Sequence, residues 1–278
     1  MSEVSELILP RGLGWKADPP KAPGDKQDFD ARKKLGVSPP PKSASIRQFQ
    51  IPPAFDQGML GSCVAQLVMQ MIQISQVRQG ATNPPIGSRL FCYYVARSYD
   101  NDTGNDNGTF IRNAFLGITK YGFPPETEWP YSDDKSGPRP PFARMPSLSA
   151  LRSAFDQRAE RSTVYRKIYS TGEERLLDIR RAIASGFPVG FGTKVSVAFV
   201  NGDLGTAPIA PPIGLQIAGK HAMMLGEYED EKSFGTLNSW GSSFGDNGWC
   251  KLSSEYIKWD ESSDFWIVET APVYEPVA

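Results

Sequence analysis

The sequence predicts an α+β fold in which a helical lobe packs against an antiparallel β-sheet lobe, with a cleft between them. Apolar residues recur at helical spacing in residues 62–80 and 109–121. The last third of the chain instead consists of short apolar or aromatic runs separated by Gly, Asn and Asp, which is typical of antiparallel strands. Between these parts, the proline-rich residues 132–147 indicate a connection between lobes.

The first 45 residues are predicted to form an N-terminal arm. They contain seven prolines, many charges and few clustered hydrophobic residues, so they cannot build a core of their own. We expect a mainly helical lobe over residues 46–135 and a mainly β lobe over residues 136–278. With 278 residues, the chain is long enough for the substantial core that two lobes require.

Apolar periodicity predicts three helices, which cover residues 62–80, 109–121 and 173–185. Each is stopped by a glycine, at Gly80, Gly122 and Gly186 respectively. The first helix is apolar over much of its circumference, which indicates a central and buried position. Thr109 is expected to cap the second helix.

Five short runs predict the strands of the sheet lobe, at residues 188–192, 221–228, 233–239, 248–252 and 264–270. Each run is apolar or aromatic and is bounded by residues that favour turns. Because Gly, Asn and Asp divide the runs, we expect the strands to be antiparallel.

Charge and hydropathy argue against several partners. Lys and Arg number 30 against 31 Asp and Glu, so there is no basic excess for binding nucleic acid. No run of about 18 apolar residues occurs, and the first residues lack the pattern of a secretory signal. We therefore expect neither nucleic acid nor a membrane as a partner. A cytoplasmic location is the default expectation, and export by another route stays open.

The sequence also predicts no metal and no cofactor. It contains no Cys-x-x-Cys pair, no paired histidines and no clustered carboxylates. Residues 214–221, GLQIAGKH, match a phosphate-binding loop only in part, because His221 stands where that loop needs Ser or Thr. The three cysteines cannot all pair within one chain, so at least one thiol is free.

Cys63 is the first candidate for chemistry. With Ser62 as the N-cap residue, Cys63 falls in the first turn of the central helix, where the helix dipole and unpaired N–H groups favour a thiolate. Free cysteines are also commonly buried in cores, so the position alone leaves a structural role open.

His221 is the only histidine in the chain, and it begins a predicted strand. Asn238 follows one hairpin later, so its amide oxygen can accept the imidazole N–H and fix the tautomer. The Trp240 ring can cover that hydrogen bond from water. Together with Cys63, these residues indicate nucleophilic catalysis, in which a thiol is activated by an imidazole.

Four motifs resemble those of the papain family of cysteine peptidases, in the bacterial branch typified by xylellain. They are QGMLGSC (57–63), GKHA (219–222), NSWG (238–241) and FGDNGW (244–249). Their order along the chain is that of the family. The resemblance implies the two-lobe fold predicted above and a peptide or protein substrate.

The resemblance also implies roles for individual residues. Cys63 would attack the peptide carbonyl, His221 would protonate the leaving amine, and Asn238 would orient the imidazole. Gln57 and the Cys63 backbone N–H would bind the oxyanion. These four side chains are the expected catalytic residues.

Two further positions are expected to bind substrate. Gly108 resembles the family's glycine that pairs main chain to main chain with substrate, and Trp240 belongs to the NSWG motif. The arm, residues 1–45, would then be either an inhibitory pro-segment that contacts the cleft or a tail held elsewhere.

Four departures from the family pattern keep other functions open. Val64 replaces a Trp, Phe244 replaces a Trp, Glu227 replaces a glycine, and Leu60 removes a half-cystine. One alternative is a catalytically weak or inactive member of the fold that serves as a binding module. Acyl transfer of the transglutaminase kind is less well supported, because that class uses Asp where Asn238 stands.

Overall fold

A computed structural model describes residues 11–19, 30–49, 53–160 and 163–270 of the chain. The helices are α1 (Arg32–Leu35), α2 (Cys63–Arg78), α3 (Arg89–Ser98), α4 (Ile111–Tyr121), α5 (Leu148–Glu160), α6 (Gly172–Ala184), α7 (Val197–Val200) and α8 (Ser254–Lys258). The strands are β1 (Trp15–Lys16), β2 (Ala44–Ser45), β3 (Thr109–Phe110), β4 (Val164–Ile168), β5 (Val189–Ser196), β6 (Ile217–Tyr228), β7 (Ser233–Leu237), β8 (Trp249–Ser253) and β9 (Ser263–Thr270). Two short 3₁₀ helices cover Ile46–Phe49 and Pro141–Ala143.

The main sheet has seven strands. Its order is β4-β9-β5-β6-β7-β8, and β2 pairs with β6 outside this path. All of these pairs are antiparallel, as the alternating runs of the sequence predict. Strands β1 and β3 form a separate two-stranded parallel sheet. Because β1 belongs to the arm and β3 to the helical part, this small sheet joins the two.

Helix α2 is the centre of the molecule. Every residue from Cys63 to Gln76 is buried, as the apolar circumference predicted. The helix lies directly on the sheet at Gly190 of β5, where a Cβ atom would meet the Met71 sulfur at 2.7 Å. The absence of a side chain at this position therefore lets α2 approach the sheet closely.

The α+β prediction is confirmed by the element order, and the predicted helices and strands are present with shifts of a few residues at their ends. The cap prediction at Thr109 is wrong, because this residue belongs to β3 and α4 begins after Phe110 without a side-chain cap. The sequence did not predict α3, α5 and β4, nor the shorter elements α1, α7, α8, β1, β2 and β3. The lobe boundary near residue 135 stays a prediction.

The described parts of the arm lie against the body. Ala31 is fully buried, and its N–H donates to the carbonyl of Lys167 in β4. Strand β2 pairs with β6, with Ser45 opposite Glu227. Residues 1–10 and 20–29 of the predicted arm lie outside the described residues. Across the part of the chain that is described, no helix is both long and apolar enough to cross a bilayer.

Candidate active site

Cys63 begins helix α2 and is fully buried. Burial raises the pKa of its thiol to about 11, although backbone amides of Ala222, Gly14 and Val64 hydrogen-bond to the sulfur and oppose that rise. Ser62 is the N-cap residue, but its hydroxyl does not cap the helix. It bonds instead to the Tyr131 hydroxyl at 2.7 Å.

His221 and Asn238 are hydrogen-bonded, as the sequence predicted. The imidazole Nε2 lies 2.7 Å from the Asn238 Oδ1, and both side chains are buried. Asn238 is held by its own backbone, since its N–H donates to the Gly248 carbonyl at 2.9 Å. Because Oδ1 is an acceptor, it requires a proton on Nε2 and leaves Nδ1 as the unprotonated nitrogen of a neutral ring.

Strand β6 carries His221 directly before a residue whose backbone acts on the Cys63 thiol. Ala222, whose amide hydrogen-bonds to the Cys63 sulfur, directly follows His221. The His221 Nδ1 atom is buried and has no hydrogen-bond partner among the described residues. The nitrogen that is free to accept a proton is therefore the one not engaged by Asn238.

The Trp240 ring covers the imidazole. The two rings stack with centroids 4.6 Å apart, and Trp240 is fully buried. Phe244 packs edge-on against Trp240 at 5.1 Å, so the replacement residue still supports the cover. Trp240 thus contacts the imidazole and other aromatic rings, and its predicted contact with substrate stays a prediction.

Gln57 is oriented by Ser239, which is a neighbour of Asn238 in the chain. The Ser239 hydroxyl donates to Gln57 Oε1 at 2.7 Å, and the Gln57 N–H donates to the Ser239 carbonyl at 3.0 Å. Since Oε1 is occupied as an acceptor, the amide nitrogen must point the other way. Nε2 donates to the carbonyls of Leu60 at 2.8 Å and Gly12 at 3.0 Å.

The main-chain N–H that pairs with the arm belongs to Thr109, one residue after Gly108. The Gly108 N–H donates to the Tyr93 hydroxyl at 3.1 Å, whereas the next N–H, that of Thr109, donates to the Gly14 carbonyl at 2.8 Å. Gly108 allows this close approach, because a Cβ atom there would lie 1.8 Å from the Gly14 oxygen. The role of Gly108 in binding substrate stays a prediction, and Thr109 joins it as the pairing donor.

Arm residues 12–15 contact the predicted catalytic residues and their neighbours. The Gly12 carbonyl accepts a hydrogen bond from Gln57 Nε2, and the Gly14 carbonyl accepts one from the Thr109 N–H. The Gly14 amide acts on the Cys63 thiol, and Trp15 is buried, with 4% of its surface exposed. Trp15 lies on Gly192 of β5, where a Cβ atom would meet the indole ring at 1.9 Å. The arm therefore contacts Gln57 and Thr109 through its backbone and Gly192 through the Trp15 side chain.

The burial of Cys63 and His221 favours their uncharged forms. Burial lowers the pKa of His221 to about 4, against the opposing effect of the Asn238 hydrogen bond. It raises the pKa of Cys63 to about 11. At neutral pH both effects favour a thiol and a neutral imidazole over the thiolate and imidazolium.

The departures from the family pattern remove none of these contacts. Val64 and Leu60 are fully buried. Glu227 pairs with Arg47 at 3.0 Å and accepts a hydrogen bond from Ser45, so it fastens β2 to β6. The His221–Asn238 and Gln57–Ser239 hydrogen bonds are both present beside these substitutions.

Comparisons with known proteins agree with this geometry. A sequence model of the papain family of cysteine proteases matches residues 40–264. Over 219 residues the chain is 34% identical to an uncharacterised peptidase C1-like protein of Acanthamoeba polyphaga mimivirus, covering 77% of this chain and 68% of that protein.

Solved structures show the same fold. Xylellain, a cysteine protease from Xylella fastidiosa, aligns with a TM-score of 0.78 at 26% identity over 96% of this chain and 99% of its own. Digestive procathepsin L 3 from the larval midgut of Tenebrio molitor aligns with a TM-score of 0.63 at 17% identity, over 95% of this chain and 76% of its own.

The fold and the family match define a papain-like cysteine peptidase, a hydrolase whose substrates are peptides or proteins. The chain belongs to the papain family of cysteine proteases.

Sequence reasoning missed three residues that hold the site together. Ser239 orients Gln57, Thr109 pairs with the arm, and Tyr131 donates to the Gln57 carbonyl at 2.9 Å. Ser239 lies inside the NSWG motif and Tyr131 ends the short run WPY, so motif position was the only available signal. Their partners became visible only in the folded chain.

Proposed function

We propose that this protein is a cysteine endopeptidase that works through a thiolate and imidazolium pair. Cys63 Sγ attacks the peptide carbonyl carbon, and His221 then donates a proton to the leaving amine as the C–N bond breaks. Water, deprotonated by His221, hydrolyses the resulting thioester and regenerates the thiol. The observation that carries the proposal is the His221–Asn238 hydrogen bond of 2.7 Å, which leaves Nδ1 free for this proton transfer.

Gln57 is proposed to bind the oxyanion. Its amide orientation is already set by Ser239, so Nε2 is directed at the site before substrate arrives. A donor held in place costs no reorganisation during the reaction, and removing one such donor from an enzyme costs about 2.7–4 kcal/mol of transition-state stabilisation. In the arm-bound state this donor is taken by the Gly12 carbonyl.

The arm is proposed to keep the enzyme latent. The Gly14 amide acts on the Cys63 thiol, and the Gly12 carbonyl accepts a hydrogen bond from Gln57 Nε2, the proposed oxyanion donor. The Gly14 carbonyl accepts the Thr109 N–H, which we propose to pair with substrate. A peptide substrate cannot reach Cys63 while these contacts persist. Burial by the same residues also disfavours the charged pair that the reaction needs.

The course of the arm explains why it would not be cut in place. Strand β1 runs parallel to β3, with Trp15 opposite Thr109. The Gly14 N–H is the arm group that acts on the Cys63 sulfur and opposes the rise in its pKa, and an N–H is not a site of nucleophilic attack. The arm is thus proposed to bind as an occupant of the cleft that is not positioned for attack.

The test is peptide hydrolysis by a full-length variant in which the arm cannot dock. In Gly14→Ala the new Cβ would lie 1.9 Å from the Gly61 carbonyl, so the arm must leave that position. We expect this variant to cleave members of a broad peptide library and to show a burst of acyl-enzyme with an ester substrate. Adding Cys63→Ala should abolish both.

Hydrolysis that survives Cys63→Ala would contradict the assignment of the nucleophile. A Gly14→Ala protein that is folded, accessible to thiol reagents at Cys63 and inactive on every peptide would contradict the endopeptidase function. The alternative function, a binding module, would then be favoured.

A further inference from the structure

Asp106 lies between two segments of the site. One is the loop of residues 57–62 before Cys63, here called the nucleophile loop. The other is the edge formed by Gly108 and Thr109, whose main chain pairs with the arm. Its carboxylate accepts the Gly61 N–H, at 2.9 Å to Oδ1 and 3.1 Å to Oδ2. Gly61 is two residues before Cys63, so this contact fixes the entry of the chain into α2. The Asp106 side chain is only 13% exposed, and Lys135 pairs with Oδ2 at 2.6 Å.

The same carboxylate also holds the edge that pairs with the docked arm. The Tyr93 hydroxyl donates to Asp106 Oδ1 at 2.7 Å and accepts the Gly108 N–H at 3.1 Å. Burial and the Asp106 charge both raise the pKa of Tyr93, so its hydroxyl stays protonated and can donate. Thr109, whose N–H pairs with the arm, directly follows Gly108.

The residues just before Asp106 are held in place by hydrogen bonds from Arg97. The buried Arg97 guanidinium donates to the carbonyls of Thr103 at 2.8 Å and Asn105 at 2.6 Å, and to that of Asp102 at 3.2 Å. No disulfide contributes, because all three cysteines of the chain are free. The connection between the nucleophile loop and the edge is therefore made by hydrogen bonds through one carboxylate.

We infer that Asp106 is a positioning residue, which sets the distance between the Cys63 thiol and the Thr109 main chain that aligns the substrate. This inference rests on the proposed function, since it concerns the reaction at that site. Asp106 acts through Gly61 on one side and through Tyr93 and Gly108 on the other. It takes no part in bond making.

A carboxylate is needed at this position because every neighbour is a donor. Gly61 N–H, Tyr93 O–H and Lys135 Nζ–H all point at the two oxygens. An asparagine has one oxygen, and its amide nitrogen would face at least one of these donors. The charge itself does not help the nucleophile, because it raises the pKa of Cys63. Position is thus the contribution that Asp106 can make to the reaction.

The test compares a peptide with a small reagent in the full-length Gly14→Ala background. We expect Asp106→Asn to lower kcat for peptide hydrolysis about 10- to 100-fold, since a misplacement of about 1 Å can cost that much. Iodoacetamide does not pair with Thr109, so its rate of Cys63 alkylation should stay within about threefold or increase as the nearby charge is lost. Asp106→Glu, which keeps the charge and the acceptors, should recover part of kcat.

A matched control is Asp133→Asn. Asp133 also accepts an N–H from the nucleophile loop, that of Met59 at 3.1 Å, but it is exposed and its described contacts do not reach the Thr109 edge. We expect it to leave the ratio of hydrolysis to alkylation unchanged.

Two results would overturn the inference: an Asp106→Asn variant that hydrolyses peptides normally, or one in which hydrolysis and alkylation fall equally. If the Gly14→Ala parent hydrolyses no peptide, the endopeptidase function is contradicted, and the role of Asp106 needs a separate measurement. Asp106 is then judged by the rate ratio of a peptidyl chloromethyl ketone to iodoacetamide, which should fall in Asp106→Asn.

Discussion

The Nε2 atom of Gln57 lies 3.0 Å from the Gly12 carbonyl oxygen, so an arm residue holds the donor that the reaction would use for its oxyanion. Two residues further on, the Gly14 amide hydrogen-bonds to the Cys63 sulfur. A short glycine-containing segment thus covers both groups at once. The proposed chemistry and its proposed control therefore share the same atoms.

Gly14→Ala should release the arm. Its Cβ would overlap the Gly61 carbonyl at 1.9 Å, and overpacking typically costs about 1–3 kcal/mol. This corresponds to roughly a 5- to 150-fold rise in the population with a free cleft. The rate of peptide hydrolysis should rise with that population.

Gly104→Ala is the matched control, because a Cβ there meets nothing within 4 Å. A synthetic peptide of residues 11–19 should inhibit Gly14→Ala in trans, and the same peptide with Trp15→Ala should inhibit less. Equal hydrolysis by wild type and Gly14→Ala, at equal thermal stability, would argue against a latent arm.

Asn238→Ala should misorient the imidazole. It removes the acceptor of the His221 Nε2–H, and leaving a buried donor unpaired costs about 1–3 kcal/mol. We expect kcat in the Gly14→Ala background to fall at least about 5- to 150-fold if that cost falls on the transition state. Because the chain has a single histidine, ¹⁵N NMR reports this one ring without overlap.

In wild type with the arm docked, the spectrum should show a neutral ring protonated at Nε2, and in Asn238→Ala without Gly14→Ala this preference should weaken. Exposed Asn201→Ala should change neither kcat nor the ring signals. A normal tautomer and normal kcat in Asn238→Ala would contradict the orienting role.

Asp18 should make arm docking depend on pH. Burial first, and then the neighbouring Asp264 charge, raises the pKa of Asp18 to about 6, against the attraction of Lys167. Lys167 Nζ lies 2.9 Å from Asp18 and 2.8 Å from Asp264, and the Asp18 N–H donates to Asp264. Because the docked arm binds this proton more tightly than a free arm, docking gains stability as pH falls.

The contribution of Asp18 to the docking free energy should therefore weaken as pH rises from about 4 to about 6 and then stay level, while the lowered pKa of His221 contributes with the opposite sign. Limited proteolysis of the arm across this pH range measures how readily the arm is released. Asp18→Asn cannot titrate, so its difference from wild type should change with pH over the same interval and nowhere above it. A wild-type arm that is released more readily at pH 4 than at pH 7, by an amount that Asp18→Asn removes, would contradict the expected sign.

The residues that we propose to react could be predicted from the sequence because each lies in a short motif. Cys63 follows Gly-Ser at a helix start, and His221 and Asn238 flank one hairpin. The residues that hold them in place could not be predicted, because their hydrogen bonds join distant parts of the chain. Ser239 reaches Gln57 across 182 positions, and Asp106 reaches Gly61 across 45.

The missed elements have similar causes. In β4, Arg166 and Lys167 interrupt the apolar pattern, yet Lys167 is needed to pair with Asp18 and Asp264. In α3, the fully buried Arg97 stands on the face where a periodic pattern expects an apolar residue. Both residues have partners from other segments, which a local pattern cannot reveal.

The pH dependence of Cys63 alkylation tests the central proposal most directly. Iodoacetamide reacts with the thiolate, so its rate follows the ionised fraction of the thiol. Mass spectrometry of digested protein separates Cys63 from Cys92 and Cys250, which are buried and serve as internal controls.

With the arm docked, burial raises the pKa of Cys63 to about 11, so alkylation of wild type should be slow at pH 7 and rise toward that value. Gly14→Ala should react faster at pH 7, with a plateau that begins below neutral pH and is lost in Gly14→Ala/His221→Ala. Identical profiles for wild type and Gly14→Ala, or a profile unaffected by His221→Ala, would contradict the proposal that the arm suppresses a thiolate and imidazolium pair.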